Sequence, residues 1–302
     1  MNCVDLLEAK KVYECGGNVT AYLRKKFNET QNTSEIIEIA YDLQAGNYID
    51  RANFKRDEIK LYVNEMAIIL DEHVSSEESL LDLGTGELTT LTLVLNDMLT
   101  VPKEVLAFDI SWSRLIKGKG FYEENIRQKT MNLSTFAADM KEIPLHANCI
   151  DVVTSYHALE PNGENLGELL KELFRITKKK LILFEPSYEL NSAEGQELMD
   201  KHGYIKGIQS VVEKLGGRVI DIALLKNHEK LNPTACYIIE PTFNNDPELT
   251  KDRPIFCVPG TNFVLESNNG FYDSKETGLV FPVLQDVPIF KSQFGILATA
   301  KF

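Results

Sequence analysis

Seven residues, LDLGTGE at 81–87, place an aspartate, two glycines and a glutamate where an apolar stretch gives way to a helical one. The apolar stretch reads as a buried strand. Gly84 and Gly86 let the backbone turn tightly and approach a bound group. A helix starting at Leu88 would offer that group its free N–H groups and dipole. A G-x-G turn also arises for packing alone, and its place between strand and helix is what gives it weight. Two more acids close apolar stretches, Asp109 in FDIS and Asp139 in AADMKEIPL. A carboxylate at the end of the second strand can accept both hydroxyls of a ribose. Its other role would be to cap the next helix, for which Ser111 competes. Asp139 can accept from an exocyclic adenine amine. For proton transfer the candidates are His157, Glu160, Glu185 and Tyr188. His157, in SYHALEPN, is the best placed, because an unperturbed histidine titrates near neutrality. Packing at a strand end is its alternative role, and shaping the turn before Pro161 is that of Glu160.

The elements that must position these groups follow from the hydrophobic pattern. Residues 1 to about 75 read as helical. Between Asn53 and Leu70, apolar residues at Ile59, Tyr62, Val63, Met66, Ile69 and Leu70 follow the helical period. Residues 40–50 read as a loop or broken helix punctuated by Gly46. Strands are expected at 80–84, 104–110, 134–139, 150–156, 181–186, 218–225 and 235–240. Helices are expected at 88–99, after Ser111, at 163–177 and at 197–215, the last closed by Gly216 and Gly217. Strand alternating with helix implies right-handed crossovers and a doubly wound, mostly parallel sheet. Only nine residues separate Leu225 from Ala235, too few for a crossover helix, so the last two strands should pair antiparallel.

The chain has 302 residues, 43% hydrophobic and 25% charged, a globular composition. Its net charge of −13 is a poor one for gripping nucleic acid through phosphates, and favours a small acceptor. No apolar run approaches the roughly 20 residues of a membrane helix. The amino-terminal residues lack a signal-peptide layout, which argues against secretion. The five cysteines, at 3, 15, 149, 236 and 257, form no C-x-x-C pair, so a cytoplasmic setting is expected. Cys149 and Cys236 lie in apolar surroundings and read as core residues.

In order and spacing, LDLGTGE, FDIS, AADMKEIPL and IDVVTSYHALEP resemble the successive motifs of class I S-adenosylmethionine-dependent methyltransferases. The resemblance runs from Ser79 to about Glu240 and implies a seven-stranded Rossmann-like sheet with an antiparallel closing hairpin. It implies S-adenosylmethionine as cofactor. Gly84, Thr85 and Gly86 would line its methionine part and Asp82 would hold its amino group. Asp109, with Ile110 beside it, would bind the ribose, and Asp139 and Met140 the adenine. Ser155 and His157 would sit beside the reactive methyl, with His157 and Glu160 as catalytic residues. Glu87 departs from the pattern, standing where many members carry a third glycine. A nicotinamide dehydrogenase is the competitor within this fold, but its G-x-G-x-x-G would need glycine at Thr89.

After residue 240 the composition shifts: six of the eleven prolines lie in 241–302, with short alternating strands and no convincing helix. GLVFPV and DVPIF, within Gly278–Phe290, resemble the zinc-ribbon-like domain that activates some tRNA and protein methyltransferases. In that resemblance Cys257, Gly260, Ser274 and Thr277 occupy the metal-ligand positions. Only one of them is a cysteine, so no structural zinc is expected. Three parts result: a helical extension or lid over 1–78, a cofactor-binding core over 79–241, and a β-rich accessory segment over 242–302. Tyr41, Tyr48 and Tyr62 would belong to the lid, with ordinary core packing as their alternative. The favoured function is methyl transfer to a small-molecule acceptor, with no nucleic acid and no membrane, and a homodimer left open. The alternatives are a methyltransferase of tRNA, rRNA or a translation protein, and a non-catalytic cofactor-binding module.

Overall fold

The computed structural model describes residues 3–127, 132–241 and 254–301. The expected boundary at 241–252 lies almost wholly outside them. Five helices come first: α1 (Cys3–Glu14), α2 (Val19–Phe27), α3 (Ser34–Asp42), α4 (Asn47–Phe54) and α5 (Arg56–His73). The break between α3 and α4 falls at Gly46, which takes a left-handed conformation as the N-cap of α4. Then come β1 (Ser79–Leu83), α6 (Thr89–Asp97), β2 (Glu104–Asp109), α7 (Trp112–Asn125), β3 (Leu133–Ala138), β4 (Ile150–Tyr156), α8 (Leu166–Ile176) and β5 (Thr177–Pro186). They are followed by α9 (Ala193–His202), α10 (Ile208–Lys214), β6 (Arg218–Leu224) and β7 (Thr234–Glu240).

Strands β1 to β5 pair parallel in the order β5-β4-β1-β2-β3, and β7 and β6 close one side antiparallel. The parallel strands are nearly continuous apolar runs because both faces are covered. Alternate residues serve different cores: Leu81, Val153 and Leu183 face the side of α8 and α10, whereas Leu80, Val152 and Ile182 face α5 and α6. Leu166, Leu169, Leu170 and Leu173 form the buried stripe of α8. A third, separate cluster of Ala9, Val19, Leu23, Ile36 and Ile39 holds α1 to α3 together.

Two boundaries differ from expectation. The helix expected over 197–215 is two helices, because Gly203 caps α9 and Gly207 opens α10, both at φ +69°. The strand expected at 181–186 starts earlier, at Thr177, so the lysines at 178–180 lie in β5. The Thr177 hydroxyl donates to the Leu173 carbonyl, and Lys178 and Lys179 pair with Asp151.

The tail supplies β8 (Glu266–Asn268), β9 (Phe271–Ser274), β10 (Leu279–Leu284), β11 (Val287–Phe290) and β12 (Ile296–Leu297). The sheet therefore grows beyond the seven expected strands. β11 pairs parallel with β3, Ile289 opposite Ala137 and Phe290 opposite Ala138, and so covers an edge that would otherwise be open. The β10–β11 hairpin turns on Gln285 and Asp286, both at positive φ, as a two-residue turn requires. Phe290 is fully buried among Phe136, Phe256, Tyr272 and Phe281, so the tail's aromatic core continues that of the main sheet.

Candidate active site

A cavity of about 590 Å³ opens at the carboxyl ends of the parallel strands, where open α/β sheets bind ligands. Asp82, Gly84, Thr85, Asp109, Ile110, Asp139, Met140, His157 and Glu160 all line it. Gly86 and Ser155, expected beside them, do not. The Arg114 side chain lies over Gly86, where an added Cβ would stand 2.3 Å from Nη2. Ser155 is buried beneath the cavity and donates its hydroxyl to Glu185 at 2.7 Å. Tyr188 is outside the lining, its hydroxyl directed to Asp200.

Gly84 and Gly86 are both left-handed, φ +59° and +58°, and a Cβ at Gly84 would meet that of Ala158 at 2.5 Å. The turn therefore needs glycine at both positions for conformation, and at Gly84 for space as well. Asp109 stitches it to the second loop: one carboxylate oxygen accepts from the Gly86 N–H and the other from the Ser111 N–H, both at 2.9 Å. Ser111 also caps α7 as expected, accepting from the Arg114 N–H. Burial raises the Asp82 carboxyl to about 7; the Thr85 hydroxyl lowers it in part and the Asp109 charge adds to the rise.

His157 has φ +53°, a strained conformation for a residue with a side chain. Glu185, at the end of β5, over-determines it. Its carboxylate is fully buried and accepts from the N–H groups of Ala158, Leu159 and Glu160 as well as from Ser155. Burial raises Glu185 to about 7 against these hydrogen bonds. The His157 ring is then held at both nitrogens, Nδ1 to Glu160 at 2.7 Å and Nε2 to the Thr234 hydroxyl at 2.7 Å. Burial depresses its pKa, but the Glu160 hydrogen bond and charge outweigh that, leaving the ring above the usual histidine range.

The remaining walls come from elsewhere in the chain. Tyr41, Tyr48 and Tyr62 from the amino-terminal helices and Tyr204 after α9 line the cavity, as do Asn227, His228, Glu229 and Asn232 from the β6–β7 connection and Thr234 at the start of β7. Tyr62 stacks on Tyr156 with ring centroids 5.3 Å apart. Polar bonds tie the amino-terminal helices to the motif loops. Glu87 accepts from the Gly46 and Ile49 N–H groups, both at 2.9 Å, and so supplies the cap that α4 lacks in its own sequence. Asp42 accepts from Ser111, and Asn32 donates to the Pro161 carbonyl. The motif pattern marks Glu87 only as a departure from glycine and gives no sign of Arg114, Asn232 or Thr234. An acid where the turn expects glycine was the available sign for Glu87. The hairpin residues carried none.

Residues 81–184 match the family model described as a methyltransferase domain. That stretch, about a third of the chain, is similar to a methyltransferase domain. In fold it is similar to the magnesium protoporphyrin IX methyltransferase of Synechocystis PCC 6803. The structure of that enzyme with bound S-adenosylhomocysteine is 13% identical, covers 70% of this chain and 100% of its own, and has a TM-score of 0.53. The same enzyme with bound S-adenosylmethionine gives 12% identity, 70% and 99% coverage, and a TM-score of 0.51. No curated protein matches the chain in sequence. Among the described residues, no group of three or more His, Cys, Asp or Glu could hold a metal ion, and no helix is long and apolar enough to cross a membrane.

Proposed function

We propose that this protein transfers the methyl group of S-adenosylmethionine to a small-molecule acceptor enclosed between the strand ends and the amino-terminal helices. The observation that carries the reading is the convergence, in one cavity, of three strand-end acids, the His157–Glu160 pair and a wall of tyrosines. A volume near 590 Å³ lies within the roughly 300–1,000 Å³ typical of small-molecule sites. An aromatic enclosure suits a small acceptor better than a nucleic acid.

The residues present fit the cofactor. Asp82, Asp109 and Asp139 offer acceptors to an amino group, a ribose and an adenine amine. The Asn232 amide oxygen is buried and unpartnered in the cavity wall, an acceptor left for a ligand donor. When bound, the sulfonium supplies an electrophilic methyl for in-line displacement. The chain itself aligns the acceptor and takes its proton. With Nδ1–H donating to Glu160, the basic nitrogen of His157 is Nε2, and Glu160 stabilises the imidazolium that forms. Thr234 holds Nε2 until an acceptor hydroxyl or amine takes its place.

Residues 1–78 act in this reading as the lid, and Tyr41, Tyr48 and Tyr62 select the acceptor. The tail acts as an accessory strand. Lys291, buried on β11's flank, donates to Glu38 of α3 and to the Ile110 carbonyl beside the ribose acid, joining the tail to lid and cofactor loop. Calorimetry with S-adenosylhomocysteine and transfer of labelled methyl from S-adenosylmethionine into a metabolite pool test the proposal. Binding of the product and label in small molecules support it. Label in RNA or protein instead would move the acceptor to a macromolecule, and absence of binding would end it.

A further inference from the structure

Lys291 directly follows β11 and its side chain is only 3% exposed, although lysine is among the residues least often buried. Its Nζ donates to Glu38 of α3 at 2.5 Å and to the Ile110 carbonyl at 3.1 Å, and lies 5.0 Å from the centre of the Phe294 ring. These partners belong to the lid, the loop after β2 and the tail. The seam that they form is otherwise acidic. Burial raises the Glu38 carboxyl, Lys291 opposes that rise, and the charges of Asp42 and Asp139 add to it. Among the described residues, no other cation forms an ion pair with Glu38, Asp42 or Asp139. The lid therefore meets the strand-end loops acid against acid, with one lysine between them. The helix so held is part of the cavity wall. Ile37 and Tyr41 of α3 line the cavity, and the Arg114 guanidinium lies 5.3 Å from the ring centroid of Tyr41 and 4.8 Å from that of Tyr48. A second bond ties α3 to the same loop, where Asp42 accepts from the Ser111 hydroxyl at 2.7 Å.

We infer that Lys291 is a positioning residue that clasps α3 over the Ile110 loop, so that the docked tail sets how firmly the lid closes and how tightly the cavity holds its ligand. The inference rests on the cofactor reading above. Removing one partner of a buried ion pair costs far more than removing both, because a lone charge is left out of water. Without Lys291, Glu38 would lie beside Asp42 and Asp139 with no cation, and α3 would move outward to rehydrate it. Ile37 and Tyr41 would leave the cavity wall with it, and the Ile110 carbonyl would lose its donor. A ligand that needs the closed lid is then bound more weakly in proportion to the closed fraction. The ion pair joins residues 253 apart in sequence, and the pairing of β11 with β3 is what carries Lys291 to the seam. The clasp itself touches no ligand and takes no part in the proton transfer.

Hydrogen exchange of the α3 amides in the ligand-free full chain, and calorimetry with S-adenosylhomocysteine, test this. In Lys291→Met, α3 should exchange about tenfold faster while β1 and β4 keep native protection, and S-adenosylhomocysteine should bind about tenfold more weakly, the lower range for a buried charge left unpaired. Glu38→Gln should cost less, because Asp42 and Asp139 still answer the lysine. Lys291→Met combined with Glu38→Gln should recover most of both losses, since neither charge of the pair remains. A double variant no better than Lys291→Met would overturn the inference and leave Lys291 only a packing role. A lower melting temperature in Lys291→Met with α3 exchange and affinity unchanged would overturn it too, as would an equal loss of protection across β1 and β4. Failure of the native protein to bind S-adenosylhomocysteine would end the cofactor reading, a distinct outcome, and the α3 exchange would still decide the clasp.

Discussion

The two ends of the cavity are built by different means. At the strand ends, Asp82, Gly84, Asp109 and Asp139 are held by the parallel sheet, and much of their bonding is to backbone within a few residues. At the opposite wall, Tyr48, Tyr62, Glu229, Asn232 and Thr234 come from segments far apart in sequence that meet only in the folded chain. Binding of a cofactor needs a fixed cradle, and rigid elements supply it. Choice of acceptor needs a surface that can vary without disturbing that cradle, and helices and a hairpin laid over the top supply that. Glu87 and Arg114 are the points where the two meet.

This contrast predicts that variants at the two ends separate cleanly. The largest effect should come from the proton acceptor. His157→Ala should lower turnover by about 10²–10³-fold, within the usual range for a general base, while S-adenosylhomocysteine affinity stays within about threefold. A comparable loss of cofactor affinity would show that His157 only props the loop. Next, Asp109→Ala should weaken S-adenosylhomocysteine by about 100-fold by calorimetry, since it removes a ligand acceptor and two loop hydrogen bonds together.

The pH responses should differ as well. Asp82 is raised from 3.8 to about 7, so near neutrality much of it is still protonated. If its carboxylate pairs with an ammonium, cofactor affinity rises with pH up to about 7 and then levels, and Asp82→Asn flattens the profile. For stability the sign is opposite. The native state holds the proton more tightly, so the Asp82 contribution falls as pH climbs from the unfolded value through 7. At the acceptor end, the rate should rise with pH through a His157 value above the usual histidine range. Glu160→Gln removes the group that raises it and should shift that limb to lower pH. An unmoved limb would mean that another group is the base.

The smallest effect belongs to the rim. Arg51 and Glu229 form an exposed ion pair at 3.4 Å between α4 and the β6–β7 connection. Such pairs contribute about 0–1 kcal/mol, so Arg51→Ala should raise acceptor KM a few-fold and leave cofactor affinity and melting temperature nearly unchanged. A large stability loss would show that the two walls are one structural unit.

The legible part of the site follows the same division. The strand-end acids could be read because each sits at a hydrophobic-to-polar switch whose period reveals the element, and because the glycines mark a turn that only glycine can make. At the end of β4, Thr154 faces the cavity while Ser155 points beneath it to Glu185, a choice that strand alternation fixes only once the register is known. Gly86 has the turn conformation that its place in the motif demands, and the Arg114 side chain of α7 lies over it.

The sequence alone determined the alternating strand–helix order, the closing antiparallel pair, the two left-handed glycines and the three converging acids. Local steric rules and hydrophobic period set all of these within short stretches of chain. Only the tertiary structure decided that β11 continues the sheet at β3, that Glu87 caps a helix forty residues before it, and that Thr234 meets Nε2 of His157. These contacts are between groups whose sequence separation carries no periodic trace, and their energy exists only after the chain has brought them out of water together.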